Sequence, residues 1–162
     1  MRYVFFSFDY DRDIWRVSVV RNHWVTKGNS EIAGYVDKAE WEAVKKNTSD
    51  VIKKWIDKQL EDTSVTVVLI GAKTSYSQYV QYEIEKSMER GNGFLGIYIN
   101  NIKNSDGETD SKGSNPLDNF KENRGGKQTL LSKIYPPYDW VNDNGYDNFP
   151  KWVEAAAKKV GR

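Results

Sequence analysis

The segment Ser77-Gln-Tyr-Val-Gln-Tyr-Glu-Ile-Glu85 carries two carboxylates and follows an apolar run, Val65-Thr-Val-Val-Leu-Ile-Gly71, that ends in glycine and polar residues. On a helix, positions three and four apart share a face. Glu83 then lies with Tyr79, Val80 and Ser87, whereas Glu85 lies with Gln81, Tyr82, Met88 and Glu89. The Val80, Ile84 and Ser87 side is the one suited to face a sheet, which puts Glu83 at its upper edge and Glu85 in solvent. A partly buried carboxylate at such a rim can hydrogen-bond sugar hydroxyls and stabilise positive charge at an anomeric carbon. A structural role competes with that chemistry, because the same acid could pair with a lysine or cap a neighbouring loop.

The elements must place this acid. Val65–Ile70 lacks polar alternation and reads as a central strand buried on both faces. A helix from about Ser77 to Arg90 follows and ends at Gly91-Asn-Gly93, a composition suited to a C-cap. Tyr3–Phe8 reads as a first buried strand, and Asp9-Tyr-Asp-Arg-Asp13 suits the start of a helix. That helix is expected over 11–24, with Trp15, Val19, Val20 and Trp24 at helical spacing. Thr26–Ser30 reads as a loop, and Glu31–Val36 as a short edge strand or an ordered connection. Two helices are expected between Asp37 and Leu60; the second, Ser49–Leu60, carries Val51, Ile52, Trp55, Ile56 and Leu60 on one stripe. Phe94–Ile99 is a further buried strand. Asn100–Gln128 is polar and unusually long for a structureless connection. The prolines in Ile134–Trp140 suggest a final edge strand, and Phe149–Val160, with Pro150 near its start, a closing helix.

Alternating strands and helices imply an α/β fold with a mainly parallel sheet covered on both faces. Right-handed crossovers make a three-layer, five-stranded, flavodoxin-like order 2-1-3-4-5 the expectation. Its switch point would set Ser7–Arg12 opposite Gly71–Val80. A single domain spanning 1–162 is expected, with a long polar loop at about 101–128.

Composition narrows the chemistry. Lys and Arg total 24 against 23 acids, a formal net charge of +1, so no electrostatic case for nucleic acid arises. The chain has no cysteine and one histidine, His23, which excludes disulfides, thiolate chemistry and multi-histidine metal sites. No apolar run approaches the roughly 20 residues of a membrane helix, and the expectation is a soluble cytoplasmic protein without membrane partners. The phosphate-binding Gly-x4-Gly-Lys-Ser/Thr loop is absent, and Ser7-Phe-Asp-Tyr-Asp stands where a dinucleotide fingerprint would follow the first strand. A phosphoacceptor Asp is missing at Gly71-Ala72-Lys73, and no flavin-phosphate loop follows the first strand. Aromatics make up 14% of the chain; most suit packing, although a surplus at a rim could stack on a base.

At these residues a family resemblance enters. Ser77-Gln-Tyr-Val-Gln-Tyr-Glu-Ile84 resembles the Ser-x-Trp-Cys-x-x-Glu-Leu helix motif of Toll/interleukin-1 receptor (TIR) domains, with Tyr79 for Trp and Val80 for Cys. Tyr3-Val-Phe-Phe-Ser-Phe8 resembles their opening strand. Phe5–Trp15, Val36-Asp-Lys-Ala-Glu-Trp41, Ile52-Lys-Lys-Trp-Ile-Asp57 and Thr63–Gly71 are similar to the bacterial branch that includes the TIR proteins of Thoeris anti-phage systems. The resemblance spans nearly all of residues 1–100. It implies an enzyme that cleaves NAD⁺ at the nicotinamide–ribose bond and forms a cyclic ADP-ribose isomer to activate a partner effector. NAD⁺ is then the substrate, and no prosthetic group or metal is implied. Glu83 is implied as the catalytic glutamate, with Phe6, Ser7, Asp9, Arg12, Ser77 and Tyr79 as rim residues placed around substrate. A phage-derived trigger and a homo-oligomer that completes the pocket belong to the same expectation. The alternative is a non-enzymatic TIR-like adaptor or a nucleotide-binding interaction module.

Overall fold

Strands rich in valine and isoleucine without polar alternation have two faces to bury, and a parallel sheet flanked by helices buries both. The computed structural model, which describes residues 2–27, 32–36 and 38–162, meets that need with a five-stranded parallel sheet. Its strands are β1 (Val4–Ser7), β2 (Ile32–Ala33), β3 (Val65–Ile70) and β4 (Gly93–Tyr98). A hairpin of β5 (Lys121–Arg124) and β6 (Lys127–Leu130) precedes the last sheet strand, β7 (Tyr138–Asp139). The order across the sheet is β2-β1-β3-β4-β7, the expected flavodoxin-like 2-1-3-4-5 with the hairpin inserted before its final strand. Every residue of β3 is buried, and its register runs from Val4↔Val65 to Ser7↔Val68 on one side and from Val65↔Gly93 to Ile70↔Tyr98 on the other. The C-terminal ends of β1 and β3 therefore lie side by side where the strand order reverses, which is where sheets of this kind open a crevice.

The helices are α1 (Tyr10–Thr26), α2 (Lys38–Lys45), α3 (Ser49–Leu60), α4 (Gln78–Glu89), α5 (Leu131–Ile134) and α6 (Gly145–Lys159). α1 and α6 cover one face, where Trp24 meets Phe149 at 5.0 Å between ring centroids. α3 and α4 cover the other, where Phe5 packs with Ile52, Ile56 and Leu60. The inward positions of α1 are Val17, Val20 and Trp24. Trp15 and Val19, expected on that stripe, are 52% and 37% exposed because at 3.6 residues per turn they form a second row on the far side of the helix. Val51 leaves the α3 stripe in the same way. Among the described residues no helix is long and apolar enough to cross a membrane.

Four stretches refine the sequence expectation, two of them, β2 and β7, as the edge strands it foresaw. The loop expected over Thr26–Ser30 and the start of the Glu31–Val36 element lie partly outside the described residues; within them, Ile32–Ala33 pairs in parallel with β1. Asn100–Gln128 holds a 3-10 turn at Pro116–Asn119 and most of the hairpin, whose Gly125 and Gly126 have φ of +60° and +83°, as a type I′ turn requires. Ile134–Trp140 supplies only two strand residues, since Pro136 and Pro137 have no N–H to give a ladder. The closing helix starts at Gly145 rather than Phe149. A side chain at Gly145 would sit 2.3 Å from the Trp140 ring, so only glycine lets the helix begin there.

Candidate active site

Ser77 stops the 3-10 turn Thr74–Tyr76 and starts α4, its hydroxyl accepting from the Val80 N–H at 3.3 Å. That start phases the helix so that Val80, Glu83, Ile84 and Ser87 are buried while Glu85 is exposed. Ser87 Oγ donates to the Glu83 carbonyl at 2.7 Å and lies 2.6 Å from Thr66 Oγ1, which ties α4 to β3. Alternation along β1 sends Phe5 and Ser7 toward α3 and α4, and Phe6 toward α6. Ser7 thus meets Glu83 directly, donating to Oε1 at 2.7 Å. Burial pushes the Glu83 carboxyl up to about 8, and the Ser7 hydroxyl, which favours the charged form, draws it partway back. At 8% exposure Glu83 is buried yet reachable.

It is reached through a cleft of about 170 Å³ at the β1/β3 switch point. Asp9 lines it from the β1–α1 connection, Tyr10 and Asp11 from the first turn of α1, Trp41 and Lys45 from α2, Trp55 from α3, and Ser77, Tyr79 and Glu83 from the α4 side. Gly34, with φ of +78°, lets the chain after β2 lie against β1; a Cβ there would stand 2.5 Å from the Phe6 carbonyl oxygen. One wall is aromatic. Phe8 stacks on Tyr10 at 5.1 Å, Tyr10 on Trp41 at 4.9 Å, and Trp41 approaches Trp55 at 6.3 Å. Such a wall offers a flat, water-excluding surface to a planar ring. At the α2 side Asp11 Oδ1 accepts from Trp41 Nε1 and from Lys45 Nζ, each at 3.1 Å.

Four of the seven residues singled out from sequence reach the cleft with side chains suited to contact a ligand: Glu83, Asp9, Ser77 and Tyr79. Ser7 stands behind Glu83, fully buried, and touches the acid rather than the open space. Phe6 borders the cleft, but its wholly buried ring lies 6.3 Å from Phe149 on the opposite face of the sheet. Arg12 is not on the cleft wall; its Nη2 donates to both Asp110 oxygens, at 3.0 and 3.2 Å. Sequence reasoning missed Phe8, Tyr10, Asp11, Trp41, Lys45 and Trp55. For Phe8, Tyr10, Trp41 and Trp55 the signal was the excess of aromatics, which no periodicity could assign to one wall; Asp11 and Lys45 had none.

A second buried acid, Asp13, lies outside the cleft. It packs on Gly71, where a Cβ would come within 2.1 Å of Oδ2, and burial lifts its carboxyl to about 6, helped by the nearby Asp9 charge. The chain after β4 is strapped across this end of the sheet. Arg16 donates to the carbonyls of Ile102 and Glu108 at 2.7 and 2.9 Å.

The sequence has counterparts among known proteins. The family described as "Thoeris protein ThsB, TIR-like domain" matches residues 5–104, a span that holds β1 to β4 and the whole cleft wall. A Bacillus cereus (strain MSX-D12) protein named "Putative cyclic ADP-D-ribose synthase ThsB1" is 40% identical over 187 aligned positions, covering 93% of this chain and 97% of that relative. Coverage of 93% means that the match extends well past residue 104, into the part of the chain that holds the hairpin and β7. Matched by that family over more than half of its length and 40% identical to this relative, the chain belongs to the Thoeris ThsB family of TIR-like proteins.

Proposed function

We propose that this chain cleaves NAD⁺ at the nicotinamide–ribose bond and closes the remaining ADP-ribose into a cyclic isomer, a messenger that activates a partner effector in anti-phage defence. The observation that carries the reading is Glu83, buried at the end of an aromatic-walled cleft and hydrogen-bonded to Ser7, in a chain 40% identical to a relative named for cyclic ADP-D-ribose synthesis.

The chemistry suits one carboxylate. When the C1′–N bond breaks, its electron pair neutralises the pyridinium, so nicotinamide leaves without a general acid. The charge appears on the ribose as an oxocarbenium-like centre, which an adjacent carboxylate stabilises. Glu83 binds the ribose hydroxyls and faces that charge; Asp9 adds negative potential on the same wall. The cationic nicotinamide favours the ionised form of an acid that burial alone would keep protonated near neutral pH. A nucleophilic atom of the same ADP-ribose then attacks C1′ and releases a proton, which requires water to be kept out. The Tyr10–Trp41 stack supplies that exclusion. No prosthetic group enters these steps.

A cleft of about 170 Å³ is smaller than the roughly 300–1,000 Å³ that enclose drug-sized ligands. It suits the nicotinamide–ribose end, and a second copy of the chain completes the remainder in this proposal. Residues 1–162 then act as one catalytic unit in the cytoplasm, released by a phage-derived trigger. Incubation with NAD⁺ and mass spectrometry of the products test the reading, with the protein assembled or taken from infected cells. Nicotinamide and a cyclic ADP-ribose isomer are expected. Glu83→Gln should lower the rate by on the order of a hundredfold or more, and unchanged turnover in that variant rejects the assignment.

A further inference from the structure

Lys45 is the one lysine or arginine on the cleft wall among the described residues, where it stands with the carboxylates Asp9, Asp11 and Glu83. Its ammonium is held by Asp11 at 3.1 Å and by Glu42, one turn back on α2, at 3.0 Å. Both acids are well exposed, at 61% and 42% of their side-chain surface, so neither ion pair is shielded from water. Trp41, which precedes Lys45 by one turn of α2, holds the same Asp11 oxygen. One acid therefore latches both the cation and the indole of α2, a helix with no buried residue of its own.

The proposed substrate carries opposite charges at its two ends: a cationic nicotinamide and an anionic diphosphate. Glu83 and Asp9 match the first. Nothing else on the described wall matches the second, and a dinucleotide diphosphate beside uncompensated carboxylates would be repelled. We propose that Lys45 is the diphosphate-binding residue of this cleft, and that substrate takes the ammonium in exchange for Asp11. This assignment rests on the catalytic reading above and adds a specificity element to it. Exposed ion pairs are weak, so a diphosphate, with one negative charge on each of its phosphates, displaces Asp11 readily. The cleft then selects a nucleoside diphosphate over an uncharged or cationic nucleoside.

Calorimetry on the full-length Glu83→Gln protein, with NAD⁺, ADP-ribose and nicotinamide riboside as probes, tests this. Lys45→Met should weaken NAD⁺ and ADP-ribose binding by about tenfold or more while changing nicotinamide riboside by less than about twofold. Asp11→Asn, which removes one of the two acids that hold the ammonium, should tighten the two diphosphates. In the otherwise unsubstituted enzyme, Lys45→Met should raise KM and leave kcat nearly unchanged, and Lys45→Arg should restore most of the affinity. Equal affinity for NAD⁺ with and without Lys45, or an equal loss for all three probes, overturns the assignment while leaving Glu83 turnover intact. Absence of NAD⁺ binding and turnover in the unsubstituted protein removes the catalytic reading and this one with it.

Discussion

Ser7 and Glu83 are 76 residues apart in the chain, and their 2.7 Å hydrogen bond opposes the burial that dominates the charge state of the acid. Burial raises the Glu83 carboxyl to about 8, so the ligand-free protein holds it largely protonated at neutral pH. Ser7→Ala removes a donor to the carboxylate and should push that value higher. The acid limb of the kcat/KM profile should then move to higher pH, as read from initial rates across pH 6–10; an unmoved limb separates Ser7 from Glu83 titration. The same shift has a consequence for stability. A carboxyl raised from 4.5 to about 8 on folding contributes its full stability below the unfolded value and loses it as pH rises through the folded one. Glu83→Gln cannot ionise, so its denaturation midpoint should overtake that of the unsubstituted protein between pH 5 and 9. A gap that stays constant over that range would contradict the burial argument.

Among elements, α4 and α2 do opposite jobs. α4 is anchored by its cap, by Ser87 on Thr66 and by four buried positions, so it holds Glu83 rigidly. Ser77→Ala should cost about 1 kcal/mol of stability, visible as a lower denaturant midpoint with unchanged m. If activity falls much further than stability does, Ser77 contacts substrate as well as capping. α2 is eight residues long, and none of them is buried. Its seat is the Trp41 stack on Tyr10 together with the Asp11 hydrogen bonds. Such a helix opens at little cost, and its amides should exchange well before those of α4.

At the scale of the molecule, the sheet and its two helical layers meet with little clearance. The Cβ of an alanine at Gly93 would stand 2.3 Å from the Ala156 carbonyl oxygen, a backbone atom of α6 that cannot rotate away. Gly93→Ala should therefore destabilise the protein by about 1–3 kcal/mol or more, because α6 must lift from the start of β4. Thermal denaturation would show it, and a Tm within a degree of the parent would mean that the layer yields. Gly113 makes a similar approach, with a Cβ position 2.1 Å from the Gly71 carbonyl oxygen, and so seats the chain after β4 on the end of β3. The Arg12 and Arg16 contacts with Asp110 hold the same strap, which explains why Arg12 is occupied away from the cleft.

Local pattern was enough for the buried strands and for placing Glu83 rather than Glu85 inward, because burial on both faces and helical phasing are written in consecutive residues; the right-handed crossover rule supplied the strand order. Pattern could not choose Val20 and Trp24 over Trp15 and Val19, or Ile52 and Ile56 over Val51 and Trp55, since each pair is four residues apart and only packing against the sheet picks the most buried row. The hairpin at Gly125-Gly126 had a local turn signal that the polar composition around it obscured. The cleft itself was beyond sequence. Tyr10, Trp41 and Trp55 lie on three helices, and Lys45 meets Asp11 across 34 residues. Contacts at such separations depend on how the layers close, so the chain alone named the acid, and the tertiary structure decided what surrounds it.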